Sequence, residues 1–463
     1  MSSGEHGGGG LPGLHAIEHW MHSGHETGGL HLEARPIIIA FVVMTVVFLF
    51  MSPAQTLRNF SFLLFFAPLW LPIILWKWTF FQYLTANRAA YIARQKHVLL
   101  ELRLPRDTMK TPAAMESVFS ALHLGLGEAT WWKRIVLGQV RAWYSFEIVS
   151  LGGQVHFYVW TRDGFRRAIE SAFYAQYPGA EIIEVEDYSR LIDPSHEPNQ
   201  MVGFEYLKSK PLPLPIRTYV EFGLDKPQKP EEQIDPLAQL IELLGSLGPH
   251  EQLWVQITIR THKGETYNKK KPDGKDYTWK DAALEQIAKL RKEAVGETEQ
   301  VDPVSGRTIK VRAFPNPTKG QTETIAAYER NSGKLAFDTG IRALYTAPKE
   351  HYQGIVGGFL VNLWKPFVSE GWNSLNVMPD WSNKYMEYPW EDPHGHHQAH
   401  TMHLMVDAWR RRQFFHSPYK AKWNVMSTEE LATLFHVPSA TVATPSLPRI
   451  QSTTSGAPSN LPV

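Results

Sequence analysis

Arg410, Arg411 and Arg412, flanked by Trp409 and by Phe414 and Phe415, bring cationic and aromatic side chains together more densely than any other stretch of the chain. Guanidinium groups grip phosphate oxygens and aromatic rings stack on bases, so this patch has the composition of a nucleic-acid contact. The end of a solvated helix reads equally well, because arginines in a last turn complement the carbonyl dipole. Lys and Arg total 47 against 46 Asp and Glu, a net charge of +1. One basic patch in a neutral chain favours a helix end or a protein partner over direct contact with nucleic acid.

Histidine supplies the other candidate chemistry. His15, His19 and His22 recur at helical spacing, which would line three imidazoles along one stripe, as a zinc or copper site requires. Leu14, Ile17 and Met21 mark another stripe of the same segment, so an amphipathic surface helix explains the spacing as well. His394, His396, His397, His400 and His403 form a second cluster behind Glu391 and Asp392, without a recognised ligand spacing. Neither cluster is specific enough to assign a metal, and no cofactor is expected.

Other chemistry is excluded. The pairs Gly274-Lys275 and Gly333-Lys334 lack the upstream glycines and following Ser or Thr of a phosphate loop. HExxH, GxSxG and EF-hand patterns are absent. Ser417–Lys420 fits SxxK only nominally, because Pro418 opposes the helix that motif needs. With no cysteine there is neither a disulfide nor a thiolate ligand, nor a Cys nucleophile. The chain therefore reads as a non-enzyme.

The elements around these residues predict an α+β protein. Val98–Leu104 reads as a strand, and Thr111-Pro112 opens a helix with Met115, Val118, Phe119 and Leu122 on one face. Trp143–Ser150 and Val155–Trp160 flank Gly152-Gly153 as a hairpin. A helix from Asp163 and a strand Glu181–Val185 complete the order β-α-β-β-α-β, that of a ferredoxin-like unit over residues 95–190. Residues 200–366 echo the order with strands Val202–Tyr206, Arg217–Phe222, Leu253–Arg260 and Ala336–Tyr345. This second α+β unit is widened by insertions at Lys263–Lys275 and Gly296–Gly320. An aromatic and basic connector spans 367–425, with a helix expected over Thr401–Phe415. In the last segment, 426–463, Ser427 and Glu430 form a capping-box pattern ahead of the stripe Leu431, Leu434 and Phe435, and a Pro-rich tail follows. That stripe is the candidate docking face for a partner; the alternative packs it on the chain's own domains.

Ahead of these units, behind a His/Gly-rich tail over 1–35, lie two uncharged apolar blocks, Pro36–Met51 and Phe60–Trp76. Each approaches the length of about 20 apolar residues that crosses a bilayer. The short link between them predicts a transmembrane helical hairpin over 36–84. Lys77, Arg88, Arg94, Lys96, Arg103 and Arg106 follow it, which predicts a multi-pass protein of the cytoplasmic membrane with both termini inside.

Several strings resemble type IV secretion coupling proteins, membrane-anchored conjugative-type ATPases of small-genome candidate-phylum bacteria. The most specific run is Ser427–Pro438 with Thr444–Ile450 and Ala457–Pro462. Phe146–Gly153, Tyr174–Pro178, Val220–Asp225 and Asp407–Arg412 are similar to the region ahead of the motor in that family. The resemblance implies a membrane-anchored platform of a DNA-transfer-like machine, working with a separately encoded motor ATPase, since this chain carries no phosphate loop. The partners it implies are the lipid bilayer, that ATPase and further copies of the chain. The contrasting expectation is a stand-alone membrane protein that binds a metal or small ligand through its histidines.

Overall fold

The computed structural model describes most residues from 43 to 438, with 449–450; residues 1–42, 379–395 and 451–463 and several short internal stretches lie outside the description. Two compact units emerge. The first comprises residues up to Asn87 with the segment 268–276, and the second holds the rest.

In the first unit the longest described helix is α1, Ala67–Ala93, whose last turns from Arg88 belong to the second. The expected transmembrane hairpin is overturned: among the described residues no helix is long and apolar enough to cross a membrane. A turn at Phe66 separates the block Phe60–Trp76 from its own start. What remains apolar in α1 runs only from Ala67 to Trp76 before Lys77, about 15 Å at 1.5 Å per residue. Gln82, Thr85, Asn87 and Arg88 make the later turns polar. Of the first block, Pro36–Val42 lie outside the described residues. The multi-pass localisation expected from these blocks falls with them.

The second unit is built on one ten-stranded sheet. Its first half contains β1 (His97–Pro105), α2 (Pro112–Ala121), β2 (Trp143–Leu151), β3 (Gln154–Arg162), α3 (Arg166–Gln176) and β4 (Glu181–Val185). The second contains β5 (Asn199–Lys208), α4 (Leu237–Gly245), β6 (Gln252–Thr261), α5 (Trp279–Glu293), the hairpin β7 (Glu297–Val301) and β8 (Thr308–Arg312), α6 (Lys319–Ser332), β9 (Ala336–Pro348), α7 (Gly354–Val361) and β10 (Leu375–Val377). Then follow α8 (His396–Arg410), β11 (Asn424–Ser427), α9 (Thr428–Leu434) and β12 (Arg449–Ile450).

The strand order is β10-β5-β9-β6-β2-β3-β1-β12, with β4 also on β1 and β11 also on β9. Every pair is antiparallel except β1 with β12. This corrects the expectation of a membrane hairpin followed by two ferredoxin-like units. Ten of the strands form a single sheet, continuous across the β2–β6 junction, where Trp143 to Leu151 pair with Arg260 to Gln252, and β7 and β8 form a separate two-stranded sheet. The expected strand Arg217–Phe222 is a run of turns.

Alternation along the strands gives the sheet two unlike faces. Tyr144, Phe146 and Ile148 of β2, Leu253, Val255 and Ile257 of β6 and Phe337, Ala343 and Tyr345 of β9 enter an apolar core with residues of α2, α3, α4, α7 and α9. The alternate positions carry Trp143, Trp160, Trp254 and Leu344, which pack with Met402, Met405, Val406 and Trp409 of α8. The β2–β3 hairpin turns at Gly152 and Gly153, both with positive φ (60° and 84°), the conformation a two-residue loop with right-handed twist requires. A Cβ on Gly152 would also stand 2.8 Å from the Pro249 carbonyl oxygen.

Candidate functional site

The α8 face of the sheet concentrates the polar groups. Glu147, at an odd position of β2, is wholly buried. Its Oε1 accepts from Ser145 Oγ at 2.6 Å, Gln256 Nε2 at 2.8 Å and Arg412 Nε at 3.0 Å. Its Oε2 accepts from Tyr188 Oη at 2.8 Å and Arg412 Nη2 at 3.2 Å. Trp409 Nε1 donates to the Tyr188 hydroxyl at 2.9 Å, and Arg412 also pairs with Asp187. Burial alone would raise the Asp187 carboxyl, but the Arg412 guanidinium outweighs it and holds the group below its ordinary range. Arg342, on β9, donates to Gln256 Oε1 at 2.6 Å and to the Ala408 carbonyl at 2.9 Å. Burial pushes its guanidinium down to about 10.

The three arginines read as a basic patch therefore separate. Arg412 is enclosed in the network just described. Arg410 donates to the carbonyls of Ser189 and Ile192. Arg411 is exposed and bonds Asp407, four residues back, at 3.0 Å. Phe414 and Phe415 are buried against the sheet rather than offered to a base.

Leu431, Leu434 and Phe435 lie in the chain's own apolar core, at 0%, 0% and 1% exposure. The capping box at Ser427 forms, with Ser427 Oγ accepting from Glu430 N and Glu430 Oε2 accepting from Ser427 N. Glu430 has a second duty that its sequence neighbours do not reveal: it meets Lys208 of β5 at 2.6 Å, both side chains fully buried. Burial pushes the Lys208 ammonium down and the Glu430 carboxyl up.

Of the histidines, His15, His19, His22 and His394 lie outside the described residues, while His400 and His403 stand exposed on α8. No group of three metal-ligating side chains occurs among the described residues.

Where the charged face reaches the start of β1 and the end of β3, it opens into a cleft of about 370 Å³. Tyr91, Lys96, Gly127, Arg162, Asp163 and Phe165 are among its walls. Arg162 is 7% exposed. Its Nη2 reaches the carbonyls of Val140 and Arg141 at 3.4 and 3.3 Å, and its Cζ lies 4.9 Å from the Trp143 ring centre and 5.5 Å from that of Tyr91. Its Nε has no partner among the described residues, and no carboxylate pairs with it there. Lys96 and Asp163 stand at the rim, 4.0 Å apart and substantially exposed.

Two neutral imidazoles adjoin this guanidinium. His97 stacks on Trp160 with centroids 4.4 Å apart, and burial, aided by Arg162 and Arg412, lowers it to about 4. His416 lies 6.0 Å from the Trp143 ring and is likewise held well below the usual imidazole value, by burial and by four arginines including Arg162. The Nε2 atoms of both rings are buried without a partner among the described residues.

Sequence reasoning gave no site role to Glu147 or Arg162, and read Lys96 only as a charge flanking the apolar blocks. The available signal was the alternation Tyr158, Trp160, Arg162 along β3, which puts a cation in line with two aromatics on one face. What it lacked was any sign that this face is covered.

No family model matches the chain. A search of curated proteins likewise finds no match.

Proposed function

We propose that the chain is a non-enzymatic platform that binds a partner protein. The partner suggested by the residues resembling coupling proteins is a separately encoded motor ATPase. One contrast supports this reading. The charged groups best suited to chemistry, such as Glu147, Arg412, Lys208 and Glu430, are bound to one another inside the fold. Large apolar groups instead stand on the surface of the stretch between α2 and β2. Leu126, Trp131, Trp132 and Leu137 are 57%, 60%, 59% and 48% exposed around one short helical turn, alongside Lys133 and Arg134. Trp and Arg contribute most to protein interfaces, and a group of exposed apolar residues rimmed by cations is an ordinary docking surface.

In a pull-down with a motor ATPase of the coupling-protein type as bait, replacing Trp131 and Trp132 by Ser should weaken capture about tenfold or more, in line with the loss of interface anchors. Circular dichroism and Tm should stay unchanged, because neither indole is buried. Undiminished capture would refute the surface, and ATP turnover by the purified chain would refute the non-enzymatic reading.

A further inference from the structure

A buried guanidinium without a carboxylate is costly, because its desolvation is not offset by an opposite charge. At Arg162 the offset comes from two carbonyls, two aromatic faces and the Tyr91 hydroxyl, with no carboxylate among the described residues, while Nε remains unmatched. The cleft beside it adds the Lys96 ammonium and the turn Asp163–Phe165 that leads into α3, an eleven-residue helix with its positive dipole end at this wall. Counting the formal charges on the walls, Lys96 and Arg162 against Asp163 leave one positive charge in excess.

We propose that this cleft is a binding site for a small molecule carrying one phosphate or carboxylate group, with Arg162 and Lys96 holding the oxyanion and the Tyr91 and Phe165 rings flanking its body. Arginine is the residue suited to the inner position, since its planar fork matches two oxygens at once. An oxyanion placed there would complete the charge balance of the cleft walls. The inference does not rest on the docking surface proposed above, although Leu126 belongs to both.

The test is calorimetric titration of the full chain with inorganic phosphate and, separately, with acetate. Saturable binding of at least one is expected, and the two arms distinguish phosphate from carboxylate as the preferred head group. Arg162→Lys keeps a charge but loses the fork, so affinity should fall about tenfold, the loss of one charge-assisted bond. Lys96→Gln, at an exposed rim position that the fold does not depend on, should weaken binding severalfold, whereas Lys280→Gln on α5 should leave it intact. If Arg162→Lys fails to fold, Lys96→Gln and ligand-induced shifts of the Gly127 and Gly164 amide signals decide the matter. Absence of saturable binding for both ions overturns the proposal. So does binding that Lys96→Gln leaves unchanged with no shift at those two glycines.

Discussion

At Arg412 the backbone takes φ +49°, a left-handed conformation just past the end of α8 where glycine or asparagine is usual. An arginine there accepts a local cost of about 1 kcal/mol because its side chain closes the Glu147–Asp187 network. Removing it strands two carboxylates under α8. Arg412→Met is therefore expected to lower stability by about 3–5 kcal/mol in a denaturant titration, the range for breaking one side of a buried pair. Arg411→Met, on a solvated pair with Asp407, should stay within about 0.5 kcal/mol of the parent. A second residue-scale prediction concerns His436, wholly buried against Asp235 at 3.2 Å. Burial opposes the charged ring, but the Asp235 carboxylate outweighs it and raises the imidazole above 6.5. Burial likewise would raise Asp235, and His436 instead holds it below 3.8. The raised His436 contributes stability that is whole below pH 6.5 and lost as pH rises through its folded value. The lowered Asp235 contributes stability that is whole above pH 3.8 and lost as pH falls through its folded value. The Tm difference between the parent and His436→Asn should thus be greatest between those two pH values. A flat difference across pH would show that the pair is not ionised.

Among the elements, α9 and α8 depend on the sheet in different ways. The α9 stripe fills the apolar core beside Phe146 and Phe157, with ring centroids of Phe435 5.1 and 5.6 Å from theirs. Phe435→Ala should cost about 3–5 kcal/mol, as large-to-small core changes do, and Leu434→Asp should prevent folding. Were Phe435→Ala to leave stability intact while abolishing partner capture, the stripe would be a docking face after all. The seat of α8 and its following loop relies on close approach to two strand glycines. A Cβ at Gly340 would lie 2.3 Å from the root of the Phe414 ring, and one at Gly203 would lie 2.2 Å from the Met405 sulfur. Methionine can swing its end aside and the Phe414 ring cannot, so Gly340→Ala should lower Tm clearly more than Gly203→Ala.

For the sheet-bearing unit as a whole, the continuous β2–β6 junction makes the two halves fold together. Thermal unfolding should give one transition from residue 88 onward, with far-UV dichroism and tryptophan fluorescence coincident, as two-state behaviour requires. Two resolved transitions would mean that the halves are separate domains, as the sequence-based division at about residue 190–200 implies.

Local chemistry alone determined much of this. The Gly152-Gly153 hairpin, the Ser427 capping box, the strand Leu253–Arg260 and the helix opened by Thr111-Pro112 were legible because turn residues, caps and period-2 or 3.6 patterns act within a few neighbours. Tertiary structure alone decided which polar strand positions meet water. Ser145, Glu147, Gln256 and Arg342 alternate with apolar residues as they would on a solvated face, yet α8 and residues 411–423 cover them. Nothing within β2, β6 or β9 encodes that lid, because Glu147 meets Arg412 across 265 positions of chain. Contacts equally distant in sequence set Arg412 as a buried tie and Arg410 as a carbonyl clamp, leaving Arg411 in a local solvated pair four residues long. Distance in sequence also hid Arg162, whose isolation arises from the carboxylates that the fold keeps away from it.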